Sequence, residues 1–249
     1  MLALHRPEQV LSLRHAPSWM LMAFGAGSVN ALAFLSTQTF VSHVTGTATR
    51  IGLNAGRWFL ELEYLAVLLC FIFGAMTSVL AIDGRYYRGK RPYYSAPLVL
   101  VVGLLILVAL LGWMGAFGKF GGEVERPEEF EMLYLLSFAM GLQNAAVATS
   151  TGMAVRTTHL TGTATDMGIS LATMLFARGE VRQKAARSAG VRGGKLLAFT
   201  LGGVLMLPLA GRLGFLSFLV PAVTVALGTL LSLVQVSSAS DRAAEEASS

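Results

Sequence analysis

Two stretches of the chain are nearly the same: SHVTGTATRIG at residues 42–52 and THLTGTATDMG at residues 158–168. In each, a histidine stands two positions before a Thr-Gly pair. At one matched position the first copy carries Arg50 and the second carries Asp166. Such internal self-similarity indicates a duplicated structural unit, so the fold is predicted from what surrounds each copy.

The similarity extends beyond the motifs on both sides. Residues 23–33 (AFGAGSVNALA) parallel residues 139–148 (AMGLQNAAVA), and residues 71–85 loosely parallel residues 199–212. We therefore divide the chain into a cytoplasmic N-terminal segment, a first repeat unit, an acidic external segment, a second repeat unit and a disordered polar tail. Their ranges are 1–16, 17–117, 118–129, 130–236 and 237–249, respectively.

The composition indicates an integral membrane protein. The chain is 54% hydrophobic and 13% charged, with a mean hydropathy of +0.63, whereas an ordinary soluble domain is about 25% charged. Residues 64–82 and 96–117 are long runs without any charge. A helix needs roughly 20 such residues to span the hydrocarbon core. We therefore predict an all-α bundle of transmembrane helices.

Sequence motifs of other protein classes are missing. The chain has no HExxH, no G-x-S-x-G, no P-loop and a single cysteine, Cys70. We therefore predict neither enzymatic activity nor a bound metal ion or cofactor. The net charge of +5 is interpreted as a determinant of membrane orientation, not as a sign of nucleic-acid binding.

Six stretches are predicted to cross the membrane, and two stretches that contain the motifs are ambiguous. The six are 18–36, 64–83, 95–117, 131–151, 194–211 and 214–236, and the two are 40–58 and 158–177. Six crossings, with broken or re-entrant motif segments, place all basic segments and both termini in the cytoplasm, as basic loops require. The second unit then has inverted topology, which is common in secondary transporters. Eight crossings would give a parallel repeat but reverse this charge distribution, so we favour six.

The stretches GSVNALAFLSTQTFVSHVTGTATRIG and GLQNAAVATSTGMAVRTTHLTGTATDMG resemble the YoaK family of bacterial membrane proteins, grouped as domain of unknown function 1275. The resemblance covers about residues 18–236 and implies a helical bundle of the bacterial inner membrane more than it implies an activity. Family members often carry Asn at the position of Thr47 and Asp at the position of Asn30. A role for a carboxylate at the second position therefore does not transfer to this chain.

The twin motifs have two interpretations. Helices that begin at Thr45 and Thr161 part-way into the membrane would direct free N–H groups at a polar or anionic solute. Alternatively, the small residues serve only close helix packing. The candidate solute-binding residues are His43, Thr45, Gly46, Thr47, His159, Thr161, Gly162, Thr163, Asn30, Gln143 and Asn144.

The titratable residues of the motifs lead to two further expectations. His43 and His159 either handle a proton or solute, since histidine titrates near neutral pH, or are hydrogen-bonded near an interface. A lone charge at mid-bilayer costs about 2.5–3.5 kcal/mol. We therefore predict that Arg50 and Asp166 form an ion pair across the two units; the alternative is that each is solvated at a membrane edge.

The function predicted from the sequence is transport of a small polar or anionic solute through a site at the interface of the two units. The alternative is a membrane scaffold or sensor that transports nothing. The expected partners are the lipid bilayer and a small solute, and a homo-oligomer is compatible with the sequence.

Overall fold

The computed structural model describes residues 16–90, 92–121, 127–153 and 155–248. Side chains are described within these ranges except at 127–129 and 236–248. Almost all of the predicted N-terminal segment, and Glu123 and Glu125 of the predicted acidic segment, therefore lie outside the described residues. The helices are α1 Ala16–Thr37, α2 Val44–Leu53, α3 Trp58–Tyr86, α4 Ala96–Trp113, α5 Pro127–Ser150, α6 Leu160–Phe176, α7 Gly179–Leu213, a 3-10 helix Gly214–Phe218 and α8 Leu219–Ser248.

Within the described residues, five helical segments are long and apolar enough to cross a membrane. They are Ala16–Thr37, Trp58–Tyr86, Ala96–Trp113, Phe130–Ser150 and Gly179–Gln235. The last has 57 residues and contains α7, the 3-10 helix and the part of α8 up to Gln235. The prediction of an all-helical, multi-pass membrane protein is therefore confirmed.

The two motif helices are not among these segments. α2 has 10 residues and α6 has 17. At 1.5 Å per residue α2 is about 15 Å long, roughly half the thickness of the hydrocarbon core. The six stretches predicted to cross the membrane all lie in the longer helices, which agrees with the six-crossing arrangement.

Burial separates inner from outer helices. The apolar windows of α1 and α5 are 61% and 72% buried, whereas that of α3 is 22% buried. The outward faces of α3, α7 and α8 expose large apolar side chains such as Leu80, Leu197 and Val223. Such faces fit a lipid environment, so α1 and α5 form the centre of the bundle and the other long helices surround them.

Close backbone contacts join these layers. α7 packs on α1 and α3 packs on α5, and each of the four helices contributes a Phe-x-x-Gly sequence at the crossing. A Cβ at Gly27 would overlap the carbonyl of Phe199, and one at Gly202 would overlap the carbonyl of Phe24. The same reciprocal relation links Gly74 to Phe138 and Gly141 to Phe71. The two crossings are therefore built alike, and both need a residue without a side chain.

The two basic segments that the structure describes, at residues 85–90 and 178–195, lie at one end of the bundle. There the first turn of α1 meets the connection between α3 and α4, where Trp19 and Tyr94 line the same small cavity. The N-terminal half of α7 is at this end too, because Lys195 lines another cavity with the first residues of α1. At the other end Phe117 packs against Phe215 of the 3-10 helix, with ring centroids 6.0 Å apart. This grouping of charge supports the predicted orientation.

Two segments differ from the sequence expectation. Residues 178–193, which lie between two of the stretches predicted above, are almost entirely helical, and α7 is 35 residues long, or about 52 Å. It therefore extends past the bilayer as an exposed basic helix. α8 continues to Ser248 through the tail predicted to be disordered. Ala, Glu and Arg dominate the end of that tail, and they are among the strongest helix formers.

The crossings predict a sharp difference between two adjacent glycines. Gly202→Ala should destabilise the detergent-solubilised protein by about 1–3 kcal/mol, because α7 must move away from α1. Gly203→Ala is the control, since its Cβ would lie 3.6 Å from the Cβ of Ala31, an ordinary contact. It should be neutral or gain up to about 1 kcal/mol of helix propensity. Equal melting temperatures for the two variants would contradict the close crossing.

The orientation predicts the labelling of single cysteines. In a Cys70→Ser background, Lys119→Cys and Lys184→Cys place thiols at exposed positions on the two ends of the bundle. A membrane-impermeant maleimide applied to intact cells should label position 119 and spare position 184, because basic segments stay in the cytoplasm. Labelling of position 184 alone would show that the orientation is opposite to the predicted one.

Candidate functional site

The motif helices begin almost where the sequence predicted. α2 starts at Val44 and α6 at Leu160, one residue before the expected threonines, so His43 and His159 are the N-cap residues. Neither histidine side chain makes a capping hydrogen bond. Each ring instead folds back over the glycine of the first turn, where a Cβ at Gly46 would lie 2.6 Å from His43 Nδ1. The glycines thus provide space for the histidine rings.

Two asparagines hold the loops that lead into the motif helices. Asn30 Oδ1 accepts hydrogen bonds from the Ser42 amide at 3.2 Å and hydroxyl at 3.1 Å. Asn144 Oδ1 accepts one from the Thr158 amide at 3.3 Å. Both asparagines lie about two turns before the end of their own helix. The chain therefore folds back by roughly 10 Å along that helix before each motif helix starts.

The motif threonines have different surroundings. Thr47 and Thr163 are buried and donate to the carbonyls of His43, at 3.3 Å, and His159, at 2.7 Å. Thr45 and Thr161 are exposed and line neither motif cavity. Gln143 is fully buried and donates to the Met22 carbonyl at 2.9 Å. It links α5 to α1 and also lines neither cavity.

The cavity beside the first motif is filled by its own side chains. Its volume is about 30 Å³, and its lining includes His43, Thr47 and Arg50. Arg50 donates to the hydroxyl of Tyr64 at 2.8 Å and to the carbonyl of Gln38 at 2.7 Å. Three acceptors, counting the Thr39 hydroxyl at 3.3 Å, therefore satisfy this guanidinium without a carboxylate.

The cavity beside the second motif is much larger, at about 230 Å³. It lies between α1, the loop before α6, α6 itself and α7. Its charged and polar lining includes the cations Arg156, Arg192 and Lys195 together with Asp166 and His159. Its apolar lining consists of Trp19, Met20, Met153, Val155 and Val191. The three cations outnumber the one carboxylate, so the lining has an excess of positive charge.

Lys195 is the buried charge of this cavity. The residue is 7% exposed, and its ammonium donates to Thr163 Oγ1 at 2.8 Å and to the His159 carbonyl at 3.4 Å. No carboxylate of a described residue lies within 4 Å of Nζ. The N-terminus of α6 adds partial positive charge at the same place. An unpaired buried ammonium is costly, so the cavity is suited to an anion.

Asp166 pairs with Arg192 and not with Arg50. The Asp166 Oδ2 to Arg192 Nη2 distance is 3.3 Å, and Arg192 also donates to Ser170 Oγ at 3.4 Å. The predicted Arg50–Asp166 ion pair is therefore not formed. The physical reason is packing: α2 lies on α3 and α6 lies on α7. Each charged side chain therefore contacts the long helix that follows it in the chain. Arg50 contacts Tyr64, and Asp166 contacts Arg192.

The predicted site residues thus divide into two sets. His159, Gly162 and Thr163 line the larger cavity, while His43, Gly46 and Thr47 line the smaller one. The two cavities share no residue, so the structure does not bring the two motifs to one common seam.

Lys195, Arg192 and Arg156 were not predicted as site residues, because basic residues were interpreted only as determinants of membrane orientation. A signal was present: when Gly74 is aligned with Gly202, Lys195 falls opposite Val67, which is an apolar residue in the first copy.

Separate partners for the two charges predict additive mutations. Arg50→Ala and Asp166→Ala should each destabilise the protein, and the double variant should equal their sum within about 0.5 kcal/mol. Asp166→Ala combined with Arg192→Ala is the contrasting pair. It should be milder than the sum, since the two side chains are in contact. Melting temperatures in detergent measure both cycles, and strong coupling in the first would contradict the separate partners.

Comparison with known proteins gives the family. No curated protein and no solved structure matches the chain. One family model, described as protein of unknown function (DUF1275), matches residues 18–231. That range contains both motifs and every side chain of the larger cavity except Ala16. It also confirms the resemblance inferred from the motifs: the chain belongs to the DUF1275 family.

Proposed function

We propose that the protein carries a small anionic solute across the membrane, and that the solute binds in the larger cavity beside Lys195. The observation that supports this most is the buried ammonium, which has no carboxylate partner among the described residues and borders on open space. A bound anion would supply the missing charge. It would also lie at the N-terminus of α6, where backbone amides favour negative charge.

The position of the cavity supports a transport role. Trp19 and Met20 come from the first half of the chain, whereas Thr163, Arg192 and Lys195 come from the second. Transporters built from inverted repeats place the substrate between the repeats, next to broken helices. α6 starts after a fold-back loop, about two turns of α5 before the end of that helix, which resembles the arrangement that such sites use. We propose that the two halves are such an inverted pair in the inner membrane.

The size of the cavity restricts the solute. Sites for drug-sized ligands have volumes of about 300–1,000 Å³, and this cavity is smaller, at about 230 Å³. A small metabolite anion fits this volume, whereas a nucleotide or a disaccharide does not. The alternative function, a scaffold or sensor, is favoured by the glycine crossings, which need no solute. A sensor would bind the anion without moving it.

The proposal predicts the behaviour of two lysine variants. Lys195→Met should melt at the same or a higher temperature without added anion, because no buried charge remains. It should lose affinity for anions by about tenfold or more, since the charged partner is gone. Lys184→Met removes the same charge from an exposed position of the same helix and should behave as the wild-type protein does.

Binding and transport are then measured separately. Thermal stabilisation of the purified protein by benzoate, benzenesulfonate, acetate and phosphate reports binding, and exchange of the stabilising anion in proteoliposomes reports transport. Anion-dependent stabilisation that survives Lys195→Met would contradict the proposed site. Binding without exchange would favour the sensor.

A further inference from the structure

We infer that the larger cavity selects monoanions with a short apolar body, such as small aliphatic or aromatic carboxylates. This inference rests on the proposed function, because it names the solute class of the same site. Two independent features of the cavity carry it: the number of unbalanced buried charges, and the apolar side chains in its lining.

Among the charged side chains that line the cavity, one buried cation remains to be balanced by a ligand. Arg192 is already paired with Asp166 at 3.3 Å. Arg156 is exposed to solvent at the rim, where water screens its charge. Lys195 is the buried cation without a carboxylate among the described residues. One negative charge neutralises it, whereas a dianion would bring a second negative charge that no other buried cation of the lining balances.

The buried end of the cavity also has few hydrogen-bond donors to offer. An ammonium has three N–H groups, and two of those on Lys195 are used by Thr163 Oγ1 and the His159 carbonyl. The Thr163 hydroxyl itself donates to that same carbonyl. One N–H of Lys195 is therefore left to donate to a ligand. A carboxylate needs fewer donors than a phosphate or sulfate, which has more oxygens to satisfy.

The apolar side chains of the lining determine the rest of the ligand. Trp19, Met20, Val155 and Val191 present apolar surface, so an aliphatic chain or ring gains free energy by leaving water there. A second polar or charged group would lose its hydration against this surface. An amino acid would also bring its ammonium close to Lys195. The apolar lining therefore favours acids with one charged end and one apolar end.

The wild-type protein tests the class directly with four probes. Benzoate should bind at least tenfold more tightly than phosphate and about tenfold more tightly than acetate, since acetate has little apolar surface. Benzamide has the shape of benzoate without its charge and should bind at least tenfold more weakly than benzoate. Affinities are measured by titration of the full-length purified protein, with thermal shift as the second method.

A variant of the apolar lining tests the second feature. Val191→Thr exchanges a methyl for a hydroxyl of the same size. It should lower the affinity for benzoate about fivefold and leave the affinity for acetate unchanged. Val181→Thr makes the same exchange at an exposed position of α7 and should change neither affinity.

The outcomes separate this inference from the function on which it rests. A preference for phosphate over benzoate would overturn the solute class and leave the anion site in place. An equal loss of affinity for benzoate and acetate in Val191→Thr would have the same consequence. Equal binding of benzamide and benzoate, or no binding of any anion, would overturn both proposals. The probe series needs no variant, so a Val191→Thr protein that fails to fold does not remove the test.

Discussion

The structure depends on four places where one helix backbone touches another. Gly27 and Gly202 let α1 and α7 approach until each glycine lies against a phenylalanine carbonyl of the other helix, and α3 and α5 meet in the same way. In a membrane, close packing of this kind replaces the hydrophobic effect as the source of helix association. The crossing also fixes the site. Lys195 precedes Gly202 by about two turns of α7, and this places its side chain beside the first turns of α1.

The same packing explains how one motif supports two different surroundings. Each motif helix packs on the long helix that follows it in the chain. The residues of that long helix which face the motif helix therefore determine which side chains line the cavity. In the first copy, Tyr64 accepts from Arg50 and Val67 is buried nearby, and the space is filled. In the second copy the matching residues are Arg192 and Lys195, and the charge at the motif position is reversed. The duplicated framework is retained while its chemistry differs between the copies.

Much of this fold could be predicted from the sequence, because it depends on patterns within one segment. Apolar runs predicted the crossings, and the Thr-Gly pairs predicted the starts of α2 and α6 to within one residue. The ion pair was wrong for a different reason. The sequence gives no direct information about which helix a motif packs against, and symmetry arguments alone suggested that Arg50 and Asp166 meet near an axis. Lys195 was missed because it was interpreted as one of the basic residues that set the orientation in the membrane, and the sequence does not show which of these residues is buried.

The contrast between the two cavities bears on how transport would proceed. The open cavity adjoins the basic end of the bundle, and the filled one adjoins the other end, where Tyr64 packs against Phe130 at the start of α5. Alternating access requires that a solute reach both sides from one site, by movement of one half against the other. The two crossings are built alike, so both halves have equivalent surfaces on which to move. Arg50 is then the side chain whose three hydrogen bonds must break before the filled cavity can open.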